Sequence, residues 1–202
     1  MNLKLKYILI IFLIIGIQVR IPAQETILPA IQQQEQILKR NPEDMRALKE
    51  LCFLYLHKAD CHKAIEYGER LFKIGYEKQD YKFGILYAHI GLGQAYIMLG
   101  DSTAINHLGQ AKLLAESEKN DSALCSIYNG MGLYASNIHR DYYSALHYFF
   151  EGIEATHRCQ YQELEAILLG NISSIYYLKD DPTGLTYSLQ IYELGHQLNS
   201  AY

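Results

Sequence analysis

Four near-copies of one short pattern, spaced by close to 40 residues, constrain this chain more than any other feature. Leu51-Cys52-Phe53-Leu54-Tyr55 aligns with Leu92-Gly93-Gln94-Ala95-Tyr96, then with Met131-Gly132 and Ile172-Ser173-Ser174-Ile175-Tyr176. The small residues 52, 93, 132 and 173 stand 41, 39 and 41 apart, and Tyr134 and Ala135 occupy the neighbourhood of the third copy's Tyr. A second series follows 12, 11 and 13 residues after the first three: Ala64-Ile65-Glu66-Tyr67, Ala104-Ile105-Asn106-His107 and Ala145-Leu146-His147-Tyr148, with a weaker fourth copy at Gly184-Leu185-Thr186-Tyr187. Turn signals separate the two series at Lys58-Ala59-Asp60, Gly100-Asp101-Ser102, Arg140-Asp141 and Asp180-Asp181-Pro182. Proline suits the first turn of a helix and interrupts the middle of one.

Within each half the apolar spacing is helical. Leu48, Leu51 and Tyr55 fall at i, i+3 and i+7, and Leu108, Ala111, Leu114 and Ala115 at i, i+3, i+6 and i+7. A small residue on each helix of a pair lets the two approach, while Tyr and Leu fill the grooves beside them. One pair cannot bury its apolar face alone, so neighbours must stack.

These segments resemble tetratricopeptide repeats, whose pattern sets a Leu-Gly pair, a Tyr three residues on and an Ala opening the second helix. Leu92-Gly93-x-x-Tyr96-x-x-Leu99-Gly100-Asp101 is the best copy, and Asn41-Pro42-Glu43-Asp44 resembles the inter-repeat turn. The resemblance covers about 25–199. It implies an all-α fold, a right-handed α-solenoid of stacked antiparallel helix hairpins, with about four repeats after a leading half-repeat. Residues 25–43 would be the leading helix and inter-repeat turn, and 44–199 the repeat domain. The period departs from the usual ~34 residues. It is closer to variants of this repeat in bacterial signalling proteins, and the departure weakens any transfer of a known peptide-binding geometry.

Residues 1–23 stand apart. A basic head (Lys4, Lys6), an apolar run from Tyr7 to Ile17 and the small residue Ala23 form the pattern of a secretory signal peptide. An uncleaved N-terminal membrane anchor is the rival, although the run is short of the roughly 20 apolar residues a bilayer requires. Either way the chain is expected in the periplasm or cell envelope. Residues 24–202 then carry 15 basic and 22 acidic residues, a net charge of −7. That charge argues against a nucleic-acid partner, which needs a basic face. Four cysteines in an exported chain are either disulfide partners or small buried residues in helix interfaces. Their spacing favours the latter; if any pair is close, it is expected to be Cys52 and Cys61, which flank a turn.

Catalytic signatures are sparse. His57, Asp60, Cys61 and His62 gather at a turn, yet a metal there needs four converging donors and nothing else in the chain pairs with them. Gly91-Leu-Gly93 and Gly130-Met-Gly132 lack the strand and the Lys-Ser/Thr of a phosphate loop, so close helix packing explains them better. Asp180-Asp181 and Glu163-x-Glu165 are the nearest things to paired carboxylates, and the first reads as a turn or cap. The Asn171-Ile-Ser173 glycosylation motif is discounted because it lies at a packed helical position. The expectation is no enzyme, no metal and no small-molecule cofactor. Of 18 tyrosines, Tyr142, Tyr143, Tyr161, Tyr177 and Tyr192 have no place in the repeat pattern and most of them are read as partial core, although aromatics also mark recognition surfaces.

In the resembled family the first helices of successive repeats line a concave groove. The matching ligand-binding face here carries Arg46, Lys49, Phe53, Tyr87, Gln94, Asn129, Asn137, Ser174 and Tyr177, with Ile90, Ile97, Leu133 and Gly170 among them. Asn129 and Asn137 share a helix and are placed to bond a peptide backbone. The set lacks the several Lys and Asn that grip a terminal carboxylate. From Pro182 to Tyr202 the only charged residue is Glu193, and a helix apolar all round expects burial. Further repeats beyond 202, or self-association through 182–202, would supply it. The expected role is an exported protein- or peptide-binding scaffold, the sensing part of a larger signalling protein. The alternative is a self-contained envelope protein that dimerises through its last helix.

Overall fold

The computed structural model describes residues 24–200, with side chains from Ile27 to Gln197; the leader-like segment 1–23 lies outside the described residues. The fold is all-helical, with no strand among the described residues. Among the described residues nine α-helices follow one another: α1 (Gln24–Arg40), α2 (Met45–His57), α3 (Cys61–Glu77), α4 (Leu86–Met98), α5 (Ala104–Ser117), α6 (Asp121–Asn137), α7 (Tyr142–Cys159), α8 (Gln162–Leu178) and α9 (Thr183–Ser200). A π-helical turn, Tyr81–Ile85, leads into α4. Every helix packs on its chain neighbours. In addition α2 touches α4, α4 touches α6, and α6 touches α8, whereas no comparable contact joins α3 to α5, α5 to α7 or α7 to α9.

The turns after α2 share one geometry. Each helix ends in a residue with left-handed backbone: Ala59, Gln79, Gly100, Lys119, Arg140, Gln160 and Asp180, with φ between 51° and 71°. In six of the seven, the next N–H reaches the carbonyl five residues back, as Asp60 N–H does to Tyr55 O (2.9 Å). This closes a Schellman turn and satisfies carbonyls the helix would leave unpaired. The exception is Asp141, whose N–H reaches six back to Ala135 O (2.9 Å). One extra residue there matches the wider spacing of 13 between Gly132 and Ala145. The residue after the left-handed one then caps the next segment: Asp60, Asp80, Asn120 and Asp141 accept the backbone N–H three residues on, Asp101 and Asp181 the one two residues on. Asp181 therefore acts as a cap, and hydrogen bonds from Thr103, Ser144 and Thr183 hold Asp101, Asp141 and Asp181 below the usual carboxylate range. The turns at Gln79, Lys119 and Gln160 close with the same hydrogen bond without any Gly or Pro to announce them, although Tyr161 adds no side-chain cap.

Within each helix pair, complementary volumes meet. The small residue of the first helix faces the position four beyond the small opener of the second. A Cβ on Gly93 would stand 2.8 Å from Leu108 Cδ2, and one on Gly132 would fall inside the contact distance of the Phe149 ring. In the first pair the sizes are exchanged, with Cys52 Sγ 3.6 Å from where Gly68 would carry a Cβ. In the last, Ser173 and Ser188 hydrogen-bond Oγ to Oγ at 2.9 Å. The small residue thus makes a hole that the partner's side chain fills, and the helix axes need not be driven together at every pair.

One turn of helix away, the rings stack. Tyr55 lies on Tyr67 (centroids 5.6 Å apart, 8° between planes), Tyr96 on His107 (5.4 Å, 22°) and Tyr176 on Tyr187 (5.6 Å, 16°). The third pair has Ala135 in this register opposite Tyr148. Tyr134 turns away to bond His139 Nε2 at 2.9 Å. Tyr55 shows why tyrosine rather than phenylalanine serves here: its buried ring ends in a hydroxyl that donates to Glu35 Oε1 (3.1 Å) and accepts from Lys63 Nζ (3.2 Å). The second pair adds His89, whose Nδ1 stands 3.0 Å from His107 Nδ1. One of the two must donate and the other accept, which rules out two imidazolium rings, and burial holds the pair neutral. Burial pushes His89 down to about 4 and lowers His107 as well.

Backbone meets backbone where α3 packs on the π-helical turn. A Cβ on Gly75 would lie 2.8 Å from Gly84 C, and one on Gly84 would lie 2.7 Å from Gly75 Cα. Backbone cannot yield as a side chain can. Gly75→Ala is expected to cost about 1–3 kcal/mol of unfolding free energy. Gly109→Ala, in a helix with open space around the new methyl, should add about 0.5–1 kcal/mol; urea titrations of both variants check the contrast. A second outcome follows from the histidines. The unfolded chain binds their protons near pH 6.5 and the folded His89 only near 4. The unfolded state therefore holds more protons across that window, and stability falls as the pH drops through it. Urea midpoints from pH 6.5 to 4 should decline less steeply in His89→Gln than in the parent; identical slopes would refute the neutral pair.

Candidate functional site

A groove of about 340 Å³ opens where α2, α4, α6 and the start of α8 come side by side. Phe53, Leu56 and His57 reach it from α2, Gln94, Ile97 and Met98 from α4, Ser126, Asn129 and Leu133 from α6, and Tyr161, Leu164 and Ile167 from the entrance to α8. Its lining is mostly apolar, with amides at Gln94 and Asn129. Apart from His57 it holds no ionisable side chain other than the Tyr161 phenol. Met98 and Ile167 remain 48% and 53% exposed at the rim. Asn129 Oδ1 accepts from Asn171 Nδ2 at 2.9 Å, which fixes the amide orientation. Among the described residues the Asn129 nitrogen has no hydrogen-bond partner.

The expected ligand face is divided by the structure. Phe53, Gln94 and Asn129 line the groove, with Ile97 and Leu133. The others do not reach it. Lys49 is occupied by Glu50 (3.3 Å) and lies 4.6 Å above the Tyr87 ring, with Phe53 and Phe83 about 6 Å away. Its ammonium and Tyr87 are therefore engaged with each other. Arg46 borders a separate depression at the α1–α2 turn, beside Glu43, Asp44 and Asp80. Asn137 is exposed at the end of α6 and accepts from Ser136 Oγ (3.0 Å). Ser174 turns its hydroxyl back onto Gly170 O (2.8 Å), and Tyr177 lies half-buried near the far end of α8. Asn129 and Asn137 share α6 yet sit two turns apart, too far along the axis to serve one small groove.

Sequence reasoning did not place the entrance to α8 in the site. Tyr161, Leu164 and Ile167 precede the repeat's marker residues by a full turn or more, and only tertiary packing brings them beside α2. The one available signal was Tyr161 itself, an aromatic without a repeat position. Of the other such tyrosines, Tyr143 is 85% exposed and is not partial core. The cysteine expectation also changes. Cys52 sits against Gly68 and Gly91, as a small interface residue, and Cys61 Sγ leans toward Ala59 O. The sulfurs that approach one another are those of Cys125 and Cys159, at 3.5 Å.

Around the motifs with chemical potential, packing dominates. The glycines of Gly91-Leu-Gly93 and Gly130-Met-Gly132 lie inside α4 and α6. Glu165 Oε1 meets His157 Nε2 at 3.1 Å. Among the described residues no three His, Cys, Asp or Glu side chains converge as a metal site, and none of the described helices is long and apolar enough to cross a membrane. No protein-family model matches the chain, and no curated protein matches it.

Proposed function

We propose that this chain is a non-catalytic repeat scaffold whose groove holds a segment of a protein or peptide. The observation that carries the reading is the groove itself, lined by four alternate helices and presenting amides among apolar walls. Such a lining suits an extended segment whose uncharged side chains enter the depression while its backbone bonds Gln94 and Asn129. The finer architecture we infer is a right-handed α-solenoid of four tetratricopeptide-like hairpins after a leading helix. The contacts among α2, α4, α6 and α8, without counterparts among α3, α5, α7 and α9, support it, because they bend a stack toward its first helices. Export, with the groove as the sensing part of a larger signalling protein, rests on residues 1–23 and on the long repeat period.

A second reading, an envelope protein that dimerises through its last helix, draws on α9. Tyr187 and Ile191 pack against Tyr176 and Gly170 of α8, so this helix is not uncovered all round. Leu189 and Tyr192 nevertheless stay 52% and 40% exposed. Light scattering on the purified chain decides between an interface there and none: a discrete dimer lost in Leu189→Glu favours the second reading.

For the groove, peptide arrays probed with the full chain supply ligands. Binding is expected to weaken at least about tenfold, roughly 1.4 kcal/mol, in Phe53→Ala and in Asn129→Ala. Asn137→Ala and Ser174→Ala should bind as the parent does. Ligands indifferent to both groove substitutions would remove the proposal.

A further inference from the structure

Cys125 and Cys159 stand apart from every other thiol in the described chain. Cys125 lies in the first turn and a half of α6, and Cys159 is the last residue of α7, 34 positions later. Their sulfurs are 3.5 Å apart. The two helix ends are clamped around them: Arg158 Nε donates to Asp121 Oδ1 at 2.7 Å, and Cys125 Sγ donates to Asp121 O at 3.0 Å. Neighbouring Tyr161 is close enough to both sulfurs for them to bear on its hydroxyl, and it lines the groove.

We infer that Cys125 and Cys159 form an intramolecular disulfide, a covalent staple between α6 and α7 set beside the groove. The inference does not rest on the reading of the groove as a peptide site. The two thiols differ in access. Cys125 is fully buried, while Cys159 is half-buried at a helix end. Burial also pushes the Cys125 thiol up to about 12, so it is a poor first nucleophile. Oxidation therefore enters at Cys159. Its sulfur attacks a small disulfide such as oxidised glutathione, forming a mixed disulfide and releasing one glutathione thiol. Cys125 then gives up its proton and attacks the Cys159 sulfur, expelling the second glutathione. The protein dithiol loses two electrons and two protons, and the donor disulfide gains both as two thiols. Closing a loop of this length constrains the unfolded chain, which is the source of the expected stabilisation.

The test uses the full reduced chain exposed to oxidised glutathione under native conditions, with intact mass and proteolytic mapping as readouts. The expected product has lost two hydrogens per chain and yields one linked fragment pair containing Cys125 and Cys159. Its thermal midpoint should rise by roughly 5–10 °C and return on adding dithiothreitol. Cys52→Ser should form the same bond, and Cys125→Ser should stop at a glutathione adduct on Cys159. A persistent adduct in the parent chain overturns the inference. So does a bond to Cys52 or Cys61, Cys125 and Cys159 both left as free thiols, or linkage seen only in the urea-unfolded chain.

Discussion

The rest of the structure depends on how each pair of helices shares one volume between two positions. Cys52 with Gly68, Gly93 with Leu108, Gly132 with Phe149 and Ser173 with Ser188 are four solutions to one packing constraint. Interiors packed like crystals leave no room for both members to be large and no stability to spare for both to be absent. The stacked rings a turn away then set the pairs in register, since a face-to-face contact tolerates little sliding. Only because that register is kept do α2, α4, α6 and the start of α8 arrive side by side, and the groove is what lies between them.

The turns serve the same end. Six residues other than glycine adopt left-handed backbone at helix ends, at an expense of order 1 kcal/mol each. The Schellman hydrogen bond offsets it at all of them but Arg140, and a following Asp or Asn cap at all but Gln160. Left-handed residues recur every 19 to 21 positions along the chain, so the spacing of 40 in the sequence is two helices, each closed in the same way. In the repeat whose turn is lengthened by one residue, at Arg140–Asp141, the ring position is held by Ala135, and Tyr134 bonds His139 instead.

Charge contributes little to this framework. The ion pairs are at the surface, where each is worth a fraction of a kcal/mol, and the chemically suggestive groups are drawn into structural duties. His89 and His107 bond one another, Asp181 caps a helix, and Glu165 meets His157. Lys49 is covered by aromatic faces, which leaves the groove nearly free of charge. The neutral lining and the unspent Asn129 donor are the features that distinguish it from the rest of the surface.

The helical class, the positions of the small residues and four of the turns were legible in the amino-acid order, because helix periodicity and capping are local and repeat themselves. The left-handed turns at Gln79, Lys119 and Gln160 were not, since nothing in those side chains demands positive φ and only the closing hydrogen bonds select it. Of the expected ligand face, Phe53, Gln94 and Asn129 meet at the groove, while Arg46, Lys49 and Asn137 stand one or two turns further along their helices. Tyr161 and the approach of Cys125 to Cys159 belong wholly to the tertiary structure. They join residues more than thirty positions apart, or elements outside the repeat pattern, and a period of 40 fixes which helices are neighbours without fixing which side chains meet.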